Sequence, residues 1–239
     1  VAGRIVRTEY TKVAPGRAVK GSFSYVPAAS GLLHGTVRIA DDQLRLDNTR
    51  HWAAHVVEEI RVALVLPDVL TPTDPFFFLQ RALCPPGNEA MNGIRTRRMY
   101  AQELAAHELE DVHLAVLADV EELPGSAAET LRAFLGRGGA VLSFAGPRSN
   151  PQSFAAMDTP LLDGLNGRRE ALEVEGARLE GPLRQLDELL DLSLLEWRRL
   201  CPLQPGGQWS ELAVVDGVPL LAMTQLWNGR WIAAAFSAR

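Results

Sequence analysis

VHLAVLADVEELPGSAAETLRAFLGRGGAVLSFAGP, residues 112–147, reads as strand, helix, strand, and this reading decides the fold. Val112 to Val120 is an almost unbroken apolar run, as expected of a strand covered on both faces with no solvent side to alternate towards. Ser126-Ala127-Ala128-Glu129 has the S-x-x-E pattern of a capping box, which predicts a helix beginning at Ser126. Ala127, Leu131, Phe134 and Leu135 then recur on one helical face. Gly136, Gly138 and Gly139 stop that helix, because glycine enters the left-handed region without a Cβ clash. Ala140 to Phe144 is a second buried strand, ended by Gly146-Pro147. Two apolar strands joined by an amphipathic helix predict a parallel βαβ crossover.

Upstream of this unit the same alternation continues. Arg61–Leu66 predicts a short buried strand. Thr73 or Asp74 is placed to cap a helix with Pro75 at its first position, filled by Phe76, Phe77, Phe78, Leu79, Ala82 and Leu83 and ended by Cys84-Pro85-Pro86-Gly87. Ile94–Tyr100 predicts another strand, and 101–111 a polar loop or short helix. Strands near 62, 95, 114 and 141 alternating with helices indicate an α/β fold with an open, mainly parallel sheet. Downstream, the leucines between Pro182 and Leu195 predict some helix. Ser210–Val215, Val218–Leu226 and Arg230–Phe236 predict a β-meander, with Asp216-Gly217 and Asn228-Gly229 supplying the positive φ of tight turns.

Residues 1–60 have a different texture. Ile5–Tyr10, Ala18–Tyr25, Thr36–Ile39 and Arg45–Val57 alternate partially and are punctuated by Pro15-Gly16, Pro27 and Ser30-Gly31. They predict a small, immunoglobulin-like β-sandwich segment over 1–60, ahead of an α/β domain over 61–239.

A net charge of −5 and a pI of about 5.6 argue against a general nucleic-acid surface. No apolar run reaches the ~18–20 residues that span a bilayer, and no signal peptide is visible. The chain begins at Val1 rather than Met, so an excised piece or a mature form is expected. Cys84 and Cys201 are the only cysteines, and spacing leaves pairing open.

Three segments in order, DDQLRLDNTR (41–50), LADVEELPGSAAETLRAFLGRGGAVLSFAGP (117–147) and VDGVPLLAMTQLWNGRWIAAAFS (215–237), resemble the periplasmic part of bacterial membrane-anchored BatA-like proteins. Those proteins carry an N-terminal double-transmembrane region, often a von Willebrand A domain, and a domain similar to class I glutamine amidotransferases. The resemblance covers most of 35–237. It implies a flavodoxin-like, glutamine amidotransferase-like sheet behind an immunoglobulin-like segment, in the periplasm, held to the membrane only by segments outside this sequence. It implies no established activity.

An active glutamine amidotransferase of that class needs a cysteine on a sharp strand-to-helix turn in a Gly-x-Cys-x-Gly context. The corresponding turn is Leu142–Gly146, with Phe144 in the cysteine position, Leu142 in that of the first glycine and Gly146 in that of the second. All five histidines precede it, so no downstream base is available. Asp68 and Asp119 lie just beyond the carboxyl ends of predicted strands, where open α/β sheets bind ligands. With Arg148, Phe144 and Gly146 they make the candidate cleft.

Other groups point elsewhere. His51 and His55 have the spacing of a helical zinc pair, but four residues of strand span about 13 Å, too far to share one ion. His107, Glu108, Glu110, Asp111 and His113 lack ligand spacing. No cofactor and no metal are therefore expected. Arg95, Arg97 and Arg98 suit a charged edge strand. The missing nucleophile, taken with the resemblance, implies a non-catalytic binding or assembly module with an envelope protein as partner. The alternatives are a hydrolase or amidotransferase with a displaced nucleophile, Ser143 or a cysteine, and a small-ligand sensor at Asp68, Asp119 and Arg148.

Overall fold

The computed structural model describes residues 5–21, 24–40, 47–66, 75–85, 93–146, 148, 149, 177–179, 183, 208–215 and 217–236. The chain divides into two compact units, Val1–Glu58 and Glu59–Arg239.

In the second unit, β3 (Ile60–Leu66), β4 (Ile94–Tyr100), β5 (Leu114–Ala118) and β6 (Ala140–Phe144) are joined by α1 (Pro75–Leu83), by two 3-10 turns at Ala101–Glu103 and Ala106–Leu109, and by α2 (Gly125–Gly136). β7 (Ala177–Leu179), β8 (Ser210–Val215), β9 (Val218–Leu226) and β10 (Gly229–Ala234) follow. The sheet order is β4-β3-β5-β6-β10-β9-β8-β7. The first five strands pair in parallel and the rest antiparallel. Counted along the chain, the parallel strands run second, first, third, fourth, fifth, which is the flavodoxin-like order.

Two layers of apolar side chains explain this arrangement. Ala63, Val65, Ala115, Leu117, Val141, Trp231 and Ala233 face one way, towards Ala127, Leu131, Phe134 and Leu135 of α2. Val62, Leu64, Leu66, Val116 and Ala118 face the other way, with Leu79, Phe76 and Leu83 of α1. Strands buried on both faces are continuous apolar runs because neither set of alternating positions meets water.

Several sequence expectations need correction. The apolar run 112–120 forms strand only over Leu114–Ala118, because Asp119 turns out of it with φ 54. The helix does not begin with a Ser126 capping box. It starts at Gly125, with Pro124 in the capping position and no side-chain cap. The Ala128 amide reaches the Pro124 carbonyl at 2.9 Å, which places Ser126 inside the first turn, where its hydroxyl is not the cap. Of the three glycines expected to stop the helix, only Gly138 has positive φ, at 93. Gly139 is small for another reason: a Cβ there would enter the Phe134 ring.

The terminal meander is present, but its last strand does more than close a hairpin. β10 pairs antiparallel with β9 on one side and parallel with β6 on the other, Arg230 opposite Ala140. The turn into it also differs from expectation. Positive φ falls on Trp227, at 54, and on neither residue of Asn228-Gly229. Gly229 is required by packing, since a Cβ would strike the Gly139 carbonyl and the Leu135 backbone. Asn228 Nδ2 donates to the Gly136 carbonyl at 2.8 Å, tying this hairpin to the end of α2.

The first unit contains β1 (Gly31–Arg38) and β2 (Thr49–Val56), paired antiparallel. The segment Ile5–Tyr10 and the described part of Ala18–Tyr25 are not strand. Pro15-Gly16 does turn the chain, with Gly16 at φ 71 and the Arg17 amide on the Ala14 carbonyl at 3.0 Å. No ladder forms around it, and the described residues of this unit hold one two-stranded ribbon in place of the expected sandwich. The predicted helix within 182–195 and the helix cap at Thr73 or Asp74 lie outside the described residues, apart from Leu183.

Candidate functional site

The carboxyl ends of β5 and β6 come together because the two strands pair in register, Ala118 opposite Phe144. Asp119 follows directly. Its amide donates to the Phe144 carbonyl at 3.2 Å. Its left-handed backbone, a conformation Asp tolerates better than most residues, turns the side chain back under the loop after β6. The carboxylate is 1% exposed. Oδ1 accepts the Arg148 amide at 2.8 Å, and Oδ2 faces the Arg148 guanidinium, Nε at 3.5 Å. Gly146 lies over this carboxylate, and a Cβ at 146 would overlap it. The loop closes as a turn, with the Ser149 amide on the Gly146 carbonyl at 3.2 Å and the Gly146 amide on Ser149 Oγ at 2.9 Å.

Asp119, Gly146 and Arg148 are thus brought together as the sequence suggested, with Phe144 beside them. Their geometry is that of a carboxylate capping a loop: Asp119 supplies an acceptor for the Arg148 amide, and the guanidinium offsets its buried charge. Asp68 lies outside the described residues, as does Cys201.

Phe144 is not on an elbow. It is the last residue of β6, paired to Ala118 on one side and Ala234 on the other, and its ring meets Phe236 edge-on at 5.7 Å. A nucleophile at this place would be held flat in the sheet. Ser143 points to the opposite face. Its hydroxyl accepts the Trp231 indole N–H at 2.9 Å and lies 3.5 Å from the Ile232 carbonyl. Trp231 is among the largest fully buried side chains, so the hydroxyl serves a buried indole that needs an acceptor.

The nearest histidine along the sheet sits at its other end. The Ala140 amide bonds the His113 carbonyl, and His113 Nδ1 accepts the Arg61 amide at 3.0 Å. Three residues of β6 separate that point from Ser143, about 10 Å of strand, beyond the ~3 Å of a base contact. Cys84 is a free thiol whose Sγ lies 3.4 Å from the Ile94 carbonyl.

The amino end of the sheet carries an ion-pair network instead. Arg61 binds Glu59 at 2.8 Å and Asp111 at 2.8 Å, and Arg95 binds Glu59 at 3.2 Å. The hydrogen bond from Arg61, aided by the charges of Arg95 and Arg61, holds the Glu59 carboxyl below its ordinary value, against desolvation and Asp111. Glu108 pairs with Arg97 at 2.9 Å and His107 at 3.2 Å. Glu108 and Asp111 of the 107–113 cluster are therefore drawn into separate ion pairs, and His113 accepts a backbone amide. Among the described residues, no group of three or more His, Cys, Asp or Glu converges as a metal site. β4 stands at the sheet edge with Arg95 and Arg97 exposed. Arg98 is half-buried with its guanidinium 5.0 Å from Phe76 and 5.2 Å from Tyr100.

Sequence reasoning grouped Asp119 with Gly146 but missed the Ser143–Trp231 bond. The first had a legible signal, an aspartate ending one predicted strand and a glycine ending the next. The second had none, because nothing local brings residue 231 beside residue 143.

No known protein family and no curated protein matches the chain. Among solved structures, it is similar to a cytoplasmic protein of Salmonella typhimurium at 12% identity, covering 86% of this chain and 85% of that one, with a TM-score of 0.49. A ThuA-like protein of Bacteroides uniformis matches at 9% identity, 77% and 85% coverage and a TM-score of 0.46. A β-galactosidase of Bacillus circulans matches at 17% identity over 75% of this chain and 29% of its own, with a TM-score of 0.45. None of these likenesses is close enough to bear on what the chain does.

Proposed function

We propose that this chain is a non-catalytic binding and assembly module of the bacterial cell envelope, built on a degenerate glutamine amidotransferase-like domain. The observation that carries this reading is the end of β6. Phe144, which the sequence resemblance sets in the place of an amidotransferase cysteine, is paired within the sheet and packed on Phe236. The neighbouring hydroxyl of Ser143 is engaged by Trp231. The periplasmic location and the membrane-anchored, BatA-like context rest on the sequence resemblance alone.

A protein partner needs an anchor, and α1 supplies one. Phe77 and Phe78 are 52% and 46% exposed, edge-on to each other at 5.5 Å, with Arg81 over the Phe77 ring at 4.6 Å. Aromatic and arginine side chains are the residue types that dominate interface energetics. The reading is tested by placing a photocrosslinking side chain at position 77 or 78 in the source organism. One envelope protein captured at both positions, and released by a Phe77→Ala, Phe78→Ala double variant that unfolds at the wild-type temperature, is the expected result. Hydrolysis of an amide or ester by the purified chain, abolished by Ser143→Ala, would overturn it in favour of a displaced nucleophile. Ser143→Ala is expected to change no activity and to cost about 1 kcal/mol of stability, the usual net value of such a hydrogen bond.

A further inference from the structure

The β1–β2 ribbon brings three histidines onto one face that the sequence separates. The ladder pairs Leu32 with His55, His34 with Ala53, Thr36 with His51 and Arg38 with Thr49. These four pairs alternate with the other face, where Trp52 covers Gly35 so closely that a Cβ on Gly35 would stand 2.7 Å from the indole. The Ile39 amide bonds the Asn48 carbonyl at 3.0 Å, which makes 39/48 and every second pair from it hydrogen-bonded. The histidine face therefore consists of the intervening non-hydrogen-bonded pairs, whose side chains stand closer together.

His34 lies between His51 and His55, diagonal to each across the strand gap. Diagonal neighbours are about 7–8 Å apart at Cα and less at Cβ, within reach of long or aromatic side chains. All three imidazoles are exposed. His51 and His55 cannot share an ion across four residues of one strand, but either can share one with His34.

Charge separates the two choices. Arg38 lies diagonal to His51 on the same face, while Glu58, which accepts the Ser30 hydroxyl at 3.2 Å, follows His55 by three residues in the chain. We infer that His34 and His55 form a two-imidazole site for a borderline transition-metal cation such as Cu(II) or Ni(II). Imidazole suits these ions, and Cu(II) binds tightest in the divalent series. Among the described residues no group of three or more His, Cys, Asp or Glu converges, so the site is assigned two protein ligands, with solvent in the remaining positions. Protons compete for the same nitrogens, so binding weakens as pH falls.

The test is titration of the untagged full chain with Cu(II), and separately with Ni(II), followed by calorimetry and by the copper electron paramagnetic resonance spectrum. One equivalent bound with nitrogen hyperfine structure is expected. His34→Gln and His55→Gln should each weaken binding by about tenfold or more, and the double variant little further, because the two ligands act as a pair. His51→Gln should leave affinity and spectrum unchanged. Circular dichroism of each variant confirms that the fold is retained. Binding that survives His34→Gln and His55→Gln, or that is lost equally in His51→Gln, overturns the assignment.

Discussion

Asp119 performs at one residue what a loop otherwise achieves with backbone partners. Its positive φ aims a buried carboxylate at the Arg148 amide, and Gly146 leaves the space in which that carboxylate sits. Gly146→Ala should therefore destabilise the protein through overpacking, by about 1–3 kcal/mol, read as a lower denaturation midpoint in urea with unchanged slope. Gly229→Ala should cost more, at or above the ~3 kcal/mol end of that range. The atoms it meets belong to the Gly139 and Leu135 backbones and cannot rotate away. Thermal unfolding of the two variants side by side checks the ranking.

At the scale of elements, α2 is fixed at its far end by the β9–β10 hairpin and along its length by Ala127, Leu131, Phe134 and Leu135. The opposite end of the sheet is held by charge. Glu59 titrates below its ordinary value of 4.5 because Arg61 and Arg95 favour the carboxylate. A depressed folded-state pKa means that the folded protein binds the proton less readily than the unfolded chain. The resulting stabilisation is present above the ordinary glutamate range and is lost as pH falls through it towards the lower folded value. Glu59→Gln should accordingly flatten the acid limb of the stability profile and leave the slope near neutral pH unchanged. The pair is solvent-screened, so added salt should narrow the difference between variant and wild type.

At the scale of the whole molecule, the two units are built to different standards. The described residues of the second form a sheet of eight strands covered by apolar layers on both faces. The described part of the first has one two-stranded ribbon with Leu32, Val37 and Trp52 exposed. An isolated ribbon of this kind is at best marginally stable in water. Residues 59–239 expressed alone should unfold in one cooperative transition, whereas residues 1–58 alone should show none by circular dichroism or calorimetry.

The strand-helix-strand unit at 112–146, the strands near 62 and 95, the helix at Pro75 and the strands of the terminal meander are legible along the chain. Each is set by a local signal: an apolar run, a helical period, a proline or a glycine. That β10 joins the parallel strands beside β6, that Ser143 serves Trp231, that Asp119 caps the loop at Arg148 and that His34 comes between His51 and His55 follows from the folded arrangement. Those outcomes depend on which strands pair and in what register. Pairing is settled by burying whole faces at once, across sequence separations that no local pattern records.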